Sequence, residues 1–267
     1  MQRIISKLKA FLRNKWKTKL LVFLLLVLFT WFVSIAIAPY NKIKELQKLV
    51  NTDSVFIERF DSVYYYPEMS RLVGEKAYKE ALLKLAENDS IQLVINLTDS
   101  TVDLSMKGVM IHQTKLKEFS KDKFFEKITL IQENKLFSQP LFVNSSYATI
   151  VKEPVVVRHA PKDTLEAALD AWQPDTLIQN PAFVALSVEY NIRIIFEQDV
   201  NKSYYDKWKK FEFYNHLSFS KAIASLENFF CFKRQEYQPT ITIKMPVDDL
   251  RAIYRALPYN PFIVIKM

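Results

Sequence analysis

The chain has 267 residues, enough for one or two domains with a buried core, and only two of them, Gly74 and Gly108, are glycines. Loops that bind dinucleotides or phosphates need several glycines, and a serine nucleophile elbow needs two around its serine, so both kinds of site are excluded. The single cysteine, Cys231, excludes an intramolecular disulfide and a multi-cysteine metal site. Because the three histidines are scattered as well, we expect neither a metal nor any other cofactor.

The net charge of +8 is concentrated at the N-terminus. Residues 1–38 hold seven Lys or Arg side chains and no acid, whereas the rest of the chain has 30 basic and 29 acidic residues. A nucleic-acid-binding domain carries its basic surface on the folded body. The charge distribution therefore predicts no nucleic-acid partner.

Residues 20–38, LLVFLLLVLFTWFVSIAIA, form a run of nineteen residues without a charge. As a helix this run is about 28 Å long, close to the thickness of the hydrocarbon core of a bilayer, and it predicts a single-pass transmembrane anchor. Because all seven cations precede the run, residues 1–19 should be a basic cytoplasmic tail. We therefore expect a protein of the bacterial inner membrane whose C-terminal body lies in the periplasm.

A cleaved signal peptide is the alternative, because Ala36, Ile37 and Ala38 resemble a cleavage site. Two features oppose it. The apolar run is longer than the core of a usual signal peptide, and Pro39 stands directly after the cut, where proline is poorly tolerated. An uncleaved anchor is therefore favoured, with the lipid bilayer as the partner of residues 20–38.

Residues 39–90 are predicted to form a helical juxtamembrane segment, in which Pro67 interrupts regular structure. An apolar stripe at helical spacing lies near the end of this segment and should pack on the following domain or on a partner. The stripe comprises Ala77, Tyr78, Ala81, Leu82 and Leu85.

From Ile91 the apolar period changes to two, which predicts a β-rich domain over residues 91–267. IQLVINL, TVDLSM and VMIHQTKL should form a three-stranded meander with a tight turn at Lys107-Gly108. Alternation places the apolar residues of the first strand on one face, and His112 is expected to be a half-exposed residue of the third strand. KEPVVVRHAPKDTLEAALDAW predicts a strand and a helix, and FVALSVEY with IRIIFEQ predicts a hairpin around Asn191. The expected fold class is mainly β with α, that is, α+β.

The stretch that begins at Tyr204 is rich in aromatic and basic residues. Some of its rings should belong to the core, while others could bind a glycan or a protein, since exposed aromatic rings beside cations favour recognition. Cys231 follows in NFFCFKR, where its apolar neighbours predict an inert, packed thiol. The predicted partner surface comprises Tyr204, Tyr205, Trp208 and Lys209.

The segment 241–265, ITIKMPVDDLRAIYRALPYNPFIVI, reads as a strand, a helix and a strand. Pro246 and the two acids after it are typical of a helix start, and Pro258 of a helix end. The buried stripe of this helix should comprise Leu250, Ile253, Tyr254 and Leu257.

This segment resembles the end of the L,D-transpeptidase catalytic domain, a family of β-rich cysteine enzymes that cross-link peptidoglycan. In that family a Ser-His-Gly-Cys-x-Arg run leads into a helix of the pattern M-P-x-x-D-A-x-x-L-Y and a final strand. The meander IQLVINLTDSTVDLSMKGVMIH resembles the first hairpin of the family. The resemblance covers the first and last quarters of residues 91–267, and it implies an L,D-transpeptidase-like β-sandwich or barrel.

Carried over residue by residue, the pattern of the family lacks its chemistry here. Thr242 stands where the family has its cysteine nucleophile, Thr240 where it has the histidine and Lys244 where it has the arginine. The upstream His-Gly pair of the family falls at Phe196 and Glu197. A threonine hydroxyl does not replace a thiol without an activating base, so the resemblance implies a degenerate site with no catalytic residues.

The predicted function is that of a membrane-anchored L,D-transpeptidase-like pseudoenzyme. It would act in the cell envelope as a scaffold, or as a binding module for peptidoglycan or an envelope protein. One alternative is an active envelope enzyme with an unrecognised site that uses His159, Cys231 or the carboxylates of Glu197 and Asp199. Another alternative is a β-rich structural subunit of an envelope complex.

Overall fold

The computed structural model describes residues 15–51, 67–152, 180–200 and 203–267. The chain divides into two compact units. One unit, here called the helical unit, contains residues 1–53 and 218–237, and the other, the sheet unit, contains residues 54–217 and 238–267. The strand and helix predicted in KEPVVVRHAPKDTLEAALDAW, together with His159, lie almost entirely outside the described residues.

The helices and strands of the described residues are numbered here in chain order. The helices are α1 (Lys15–Asn51), α2 (Pro67–Ala86), α3 (Phe124–Lys127), α4 (Leu130–Phe137), α5 (Tyr204–Phe230) and α6 (Val247–Ala256). The strands are β1 (Gln92–Asn96), β2 (Thr101–Met106), β3 (Val109–Lys115), β4 (Glu118–Lys121), β5 (Leu141–Ala148), β6 (Phe183–Val188), β7 (Ile192–Gln198), β8 (Thr240–Met245) and β9 (Phe262–Lys266).

Helix α1 dominates the helical unit. It contains the whole predicted apolar run 20–38 and continues through Pro39 to Asn51. Among the described residues it is the one helix that is long and apolar enough to cross a membrane. Its large apolar side chains point outwards, with Phe29 66% and Phe32 72% exposed. The second half of α5 belongs to the same unit.

In the sheet unit the nine described strands form one sheet in the order β3-β2-β1-β9-β5-β6-β7-β8-β4. Strands β1, β2 and β3 pair antiparallel as the predicted meander. The hairpin β6–β7 is also confirmed, and Tyr190 and Asn191 make its turn with φ of 56° and 55°. In the C-terminal segment, β8 runs parallel to β7 and β9 runs parallel to β1. Consecutive parallel strands need a crossover connection, and α5 lies in the connection between β7 and β8.

Strand β1 is buried on both faces, whereas its alternating pattern predicts one apolar face. The second face is buried because α2 covers it: Ala81 and Leu85 pack against Val94 and, from β9, Val264. The predicted apolar stripe of α2 is thereby confirmed, with Tyr78 and Leu82 packed at the edge of this cluster. α2 begins at Pro67, whose ring suits the first turn of a helix.

A second core cluster lies under the first half of α5. Phe213 and Leu217 pack against strand residues Phe183, Ala185 and Ile195. The predicted buried stripe of α6 is confirmed as well, because Leu250, Ile253, Tyr254 and Leu257 are all buried. The α+β class predicted for the C-terminal body is thus confirmed as a sheet with helices packed on it.

We expect Phe213→Ala to lower the free energy of unfolding by about 3–5 kcal/mol, because it leaves a cavity between α5 and the sheet. Phe213 is fully buried, whereas Phe211, two residues earlier, is 58% exposed. The matched control Phe211→Ala should therefore stay within about 0.5 kcal/mol of the wild type. Urea unfolding of the full chain in mild detergent, followed by circular dichroism, measures both. Equal effects of the two substitutions would contradict this packing.

Candidate functional site

The three positions that match the transpeptidase motif lie on β8. Thr240, Thr242 and Lys244 alternate with fully buried residues and are themselves half-buried, so they share one face of the sheet. Ile195 of β7 and Ser120 of β4 flank Thr242 in register. Neither neighbour takes a proton from a hydroxyl at ordinary pH, so in the described part of the sheet the strand register pairs Thr242 with no base.

Lys244 is held in an ion pair across the neighbouring strand. Its Nζ lies 2.6 Å from Oε2 of Glu118 on β4. The hydrogen bond from Lys244 lowers the pKa of Glu118, and the same bond raises the pKa of Lys244. Both groups are open to solvent, so water screens their attraction and the pair contributes little to stability.

The most buried charge of this face belongs to Glu197 on β7, which is 2% exposed. Its carboxylate accepts a hydrogen bond from Lys210 Nζ at 2.6 Å and a second one from the Tyr214 hydroxyl. Lys210 and Tyr214 are four residues apart and therefore lie on one side of α5. Burial and the bond to Glu197 raise the pKa of Tyr214, which keeps its hydroxyl protonated as a donor.

Aromatic packing closes the same face next to these polar contacts. Phe213, between Lys210 and Tyr214 on α5, is fully buried against Ile195, the β7 neighbour of Thr242. Its ring stacks 5.5 Å from that of Tyr147. The first half of α5 therefore packs on β5, β6 and β7, next to the strand that carries Thr242.

Of the residues considered for an unrecognised enzyme, Cys231, Glu197 and Asp199 lie in the described part of the chain, whereas His159 lies outside it. Phe196, although adjacent to Glu197, is buried on the opposite face of β7. Cys231 belongs to the helical unit and is exposed, so the predicted packed thiol is wrong. It follows the last turn of α5, and its neighbours Phe230 and Phe232 are exposed as well. Asp199 lies just past the end of β7, where its backbone N–H donates to the carbonyl of Met245.

His112 is half-exposed on β3, as the sequence predicts. Its Nε2 lies 3.7 Å from Oδ1 of Asp249 in the first turn of α6. The other carboxylate oxygen of Asp249 accepts a hydrogen bond of 2.6 Å from Thr114. These contacts fasten α6 to the edge of the meander. They place His112 beside a carboxylate that holds the helix, and not beside a nucleophile.

The predicted partner surface lies on the first turns of α5. Tyr204 is 81% exposed and Trp208 53% exposed, and the Trp208 ring lies 6.0 Å from that of Phe211. Tyr205 donates a hydrogen bond to Asn180, and Lys209 pairs with Glu212 at 2.9 Å. The structure thus leaves these aromatic rings on the outer side of the helix that closes the sheet face. We call the cluster Tyr204, Tyr205, Trp208, Lys209 and Phe211 the aromatic patch.

A cleft of about 490 Å³ lies elsewhere in the sheet unit, between α2, α4 and the end of β9. Arg71, Asp99 and Glu133 are among its lining residues, and Lys266 places its Nζ 5.3 Å from the ring centre of Tyr78. Burial raises the pKa of Glu133, and it also raises the pKa of Tyr78. Because the cleft is lined by both basic and acidic side chains, its charge does not favour one class of ligand.

The comparisons with known proteins give no relative: no family model, no curated protein and no solved structure matches the chain. The Glu197–Lys210–Tyr214 cluster is the part that reading the sequence missed. Two signals could have revealed it: a lone acid in the apolar strand IRIIFEQ, and a lysine and a tyrosine four residues apart in α5.

We expect Glu133→Gln to stabilise the protein near pH 8 but not near pH 4. Because burial raises the pKa of Glu133 above its value in the unfolded chain, the folded state holds the proton more tightly. Stability is then lost as the pH rises from the unfolded pKa through the folded pKa, and the neutral glutamine avoids this loss. Melting temperatures at both pH values measure the effect. The exposed acid Glu126 provides the control variant, Glu126→Gln, and a gain at pH 8 that persists unchanged at pH 4 would contradict the explanation.

Proposed function

We propose that this protein is a membrane-anchored binding module of the bacterial cell envelope, built on an L,D-transpeptidase-like framework that has lost its catalytic chemistry. The apolar run of α1 crosses the inner membrane, with residues 1–19 in the cytoplasm. The sheet unit then lies in the periplasm, where peptidoglycan is within reach. The length of α1 and the position of all seven cations before the run support this topology.

The observation that carries the proposal is the packing of α5 on the sheet face that carries Thr242. Phe213 packs on this face against Ile195, the β7 neighbour of Thr242, and the Glu197 carboxylate is engaged by Lys210 and Tyr214. A nucleophile needs a base and an open position for the carbonyl that it attacks. The described side chains next to Thr242 instead hold the helix on the sheet, which favours a binding role over cross-linking.

The aromatic patch is the surface that fits such a role. Exposed Tyr and Trp side chains offer large, rigid, partly apolar contact areas with little conformational freedom to lose. A peptidoglycan strand presents the apolar faces of sugar rings together with peptide carboxylates. Trp208 and Tyr204 suit the sugar faces, and the ammonium group of Lys209 suits a carboxylate.

Trp208→Ala should weaken binding of the full chain to purified peptidoglycan sacculi by about tenfold or more, as expected for loss of a central aromatic contact. Sedimentation with sacculi in mild detergent measures the bound fraction as the amount of sacculi is varied. The control is Tyr259→Ala, which removes another aromatic ring of the sheet unit that is 75% exposed and lies outside the patch. Equal binding by wild type and Trp208→Ala, or an equal loss in the control, would refute this assignment of the surface.

Thr242→Cys alone should not produce cross-linking activity. The new thiol would lie between Ile195 and Ser120, neither of which is a proton acceptor for it. Incubation of the variant with tetrapeptide-containing muropeptides, followed by chromatographic search for cross-linked dimers, measures the activity. Dimer formation above the level of the wild type would show that the catalytic framework is intact and would overturn the silent-site argument.

A further inference from the structure

The second half of α5, residues 218–230, carries an apolar stripe that faces away from the protein. The members of the stripe recur at helical spacing and are 40–71% exposed: Phe219, Ile223, Leu226 and Phe230. Phe232, the second residue after the helix, is 99% exposed. Polar side chains occupy another side of the same helix: Ser220, Lys221, Glu227 and Asn228. Four large apolar side chains on one side of a helix form a contiguous surface that needs a partner.

The depth of this helix follows from a contact within the helical unit. The indole Nε1 of Trp31 donates a hydrogen bond of 3.1 Å to Oγ of Ser225. Trp31 lies inside the apolar run, seven residues before Ala38, which is about 10 Å along a helix. If the run 20–38 spans the hydrocarbon core, Ser225 lies at the level of the acyl chains in the leaflet next to Ala38.

The polar groups around Ser225 satisfy one another, as a low-dielectric location demands. The Ser225 hydroxyl donates to Oε1 of Gln235 at 2.8 Å, and Nε2 of Gln235 donates to the backbone carbonyl of Ser225 at 2.9 Å. Gln235 is buried, although it lies in a connection that has no regular structure. These hydrogen bonds satisfy the side chains of Ser225 and Gln235 beside α1 without water, while the exposed Lys233 and Arg234 of the following turn need the headgroups or water.

We propose that the second half of α5 is seated in the membrane beside α1, with its apolar stripe among the acyl chains of the leaflet next to Ala38. The stripe continues the outward-facing apolar surface of α1, where Phe32 is 72% and Ile35 40% exposed. Lys221 and Glu227, which lie off the stripe, can reach the headgroups through their long side chains. The inference rests on the proposed membrane anchoring by α1, and it adds a second membrane-contacting element.

A second copy of the chain is the other partner that an apolar stripe could bind. The Trp31–Ser225 contact favours lipid, because it places the stripe at the depth of the acyl chains that already surround α1. An interface between copies would instead be expected to lie on the periplasmic body or along α1 itself. The experiment below separates the two partners.

Cys231, the single cysteine of the chain, is exposed at the end of this helix and provides the probe site. We would label it with the environment-sensitive fluorophore NBD and reconstitute the full chain in phosphatidylethanolamine–phosphatidylglycerol vesicles. Some vesicles would carry lipids with a nitroxide close to the headgroup end of the acyl chain. We expect blue-shifted emission and quenching by the nitroxide lipids. As a control, NBD on Gln139→Cys in a Cys231→Ser background, in an exposed loop of the sheet unit, should not be quenched.

Two further measurements make the outcomes distinct. The double variant Phe219→Ser, Phe230→Ser should reduce the quenching at Cys231, while the protein should stay resistant to carbonate extraction because α1 still anchors it.

A wild type that resists carbonate extraction but shows no quenching by the nitroxide lipids would overturn the membrane-seated helix and leave the α1 anchor standing. Release of the wild type by carbonate would overturn both. Blue-shifted emission without lipid quenching, with self-quenching as the fraction of labelled chains rises, would overturn lipid in favour of a second copy.

Discussion

The pairing of the Glu197 carboxylate with Lys210 and Tyr214 is the constraint on which the rest of the sheet unit depends. A carboxylate that is 2% exposed is costly unless charged or polar partners satisfy it, and both partners come from one side of α5. Phe213, between them, enters the apolar cluster of Phe183 and Ile195. Polar and apolar contacts thus require the same position of the helix, and a helix moved by one turn would lose both.

That position determines what the sheet can offer to a ligand. On the sheet face that carries Thr242 and Lys244, side chains of α5 pack on the neighbouring strands β6 and β7, and Lys244 is engaged in the ion pair with Glu118. The same helix turns Tyr204, Trp208 and Phe211 outwards. A surface suited to recognition therefore arises on the outer side of the helix that packs beside Thr242, and this arrangement is the physical basis for proposing binding in place of catalysis.

Local patterns predicted the elements well where each element buries one face against its neighbours. The meander with its turn at Gly108, the hairpin at Asn191 and the strand–helix–strand of the C-terminal segment all follow from period and turn chemistry. Two interpretations were wrong for the same reason. The residues next to a position in the sequence do not show which other element will pack on it. Strand β1 acquires a second buried face from α2, and Cys231, among phenylalanines in sequence, is exposed where the helix ends.

By itself the sequence determined that an apolar helix long enough to span a bilayer precedes an α+β body, because nineteen uncharged residues and the change of period at Ile91 are local properties. Only the tertiary structure decided which side chains meet. Glu197 and Lys210 are thirteen residues apart in sequence, and Trp31 and Ser225 are 194 apart. The partners of a buried charge or of an indole depend on how whole elements pack, and the periodicity of one element carries no information about the element that will cover it.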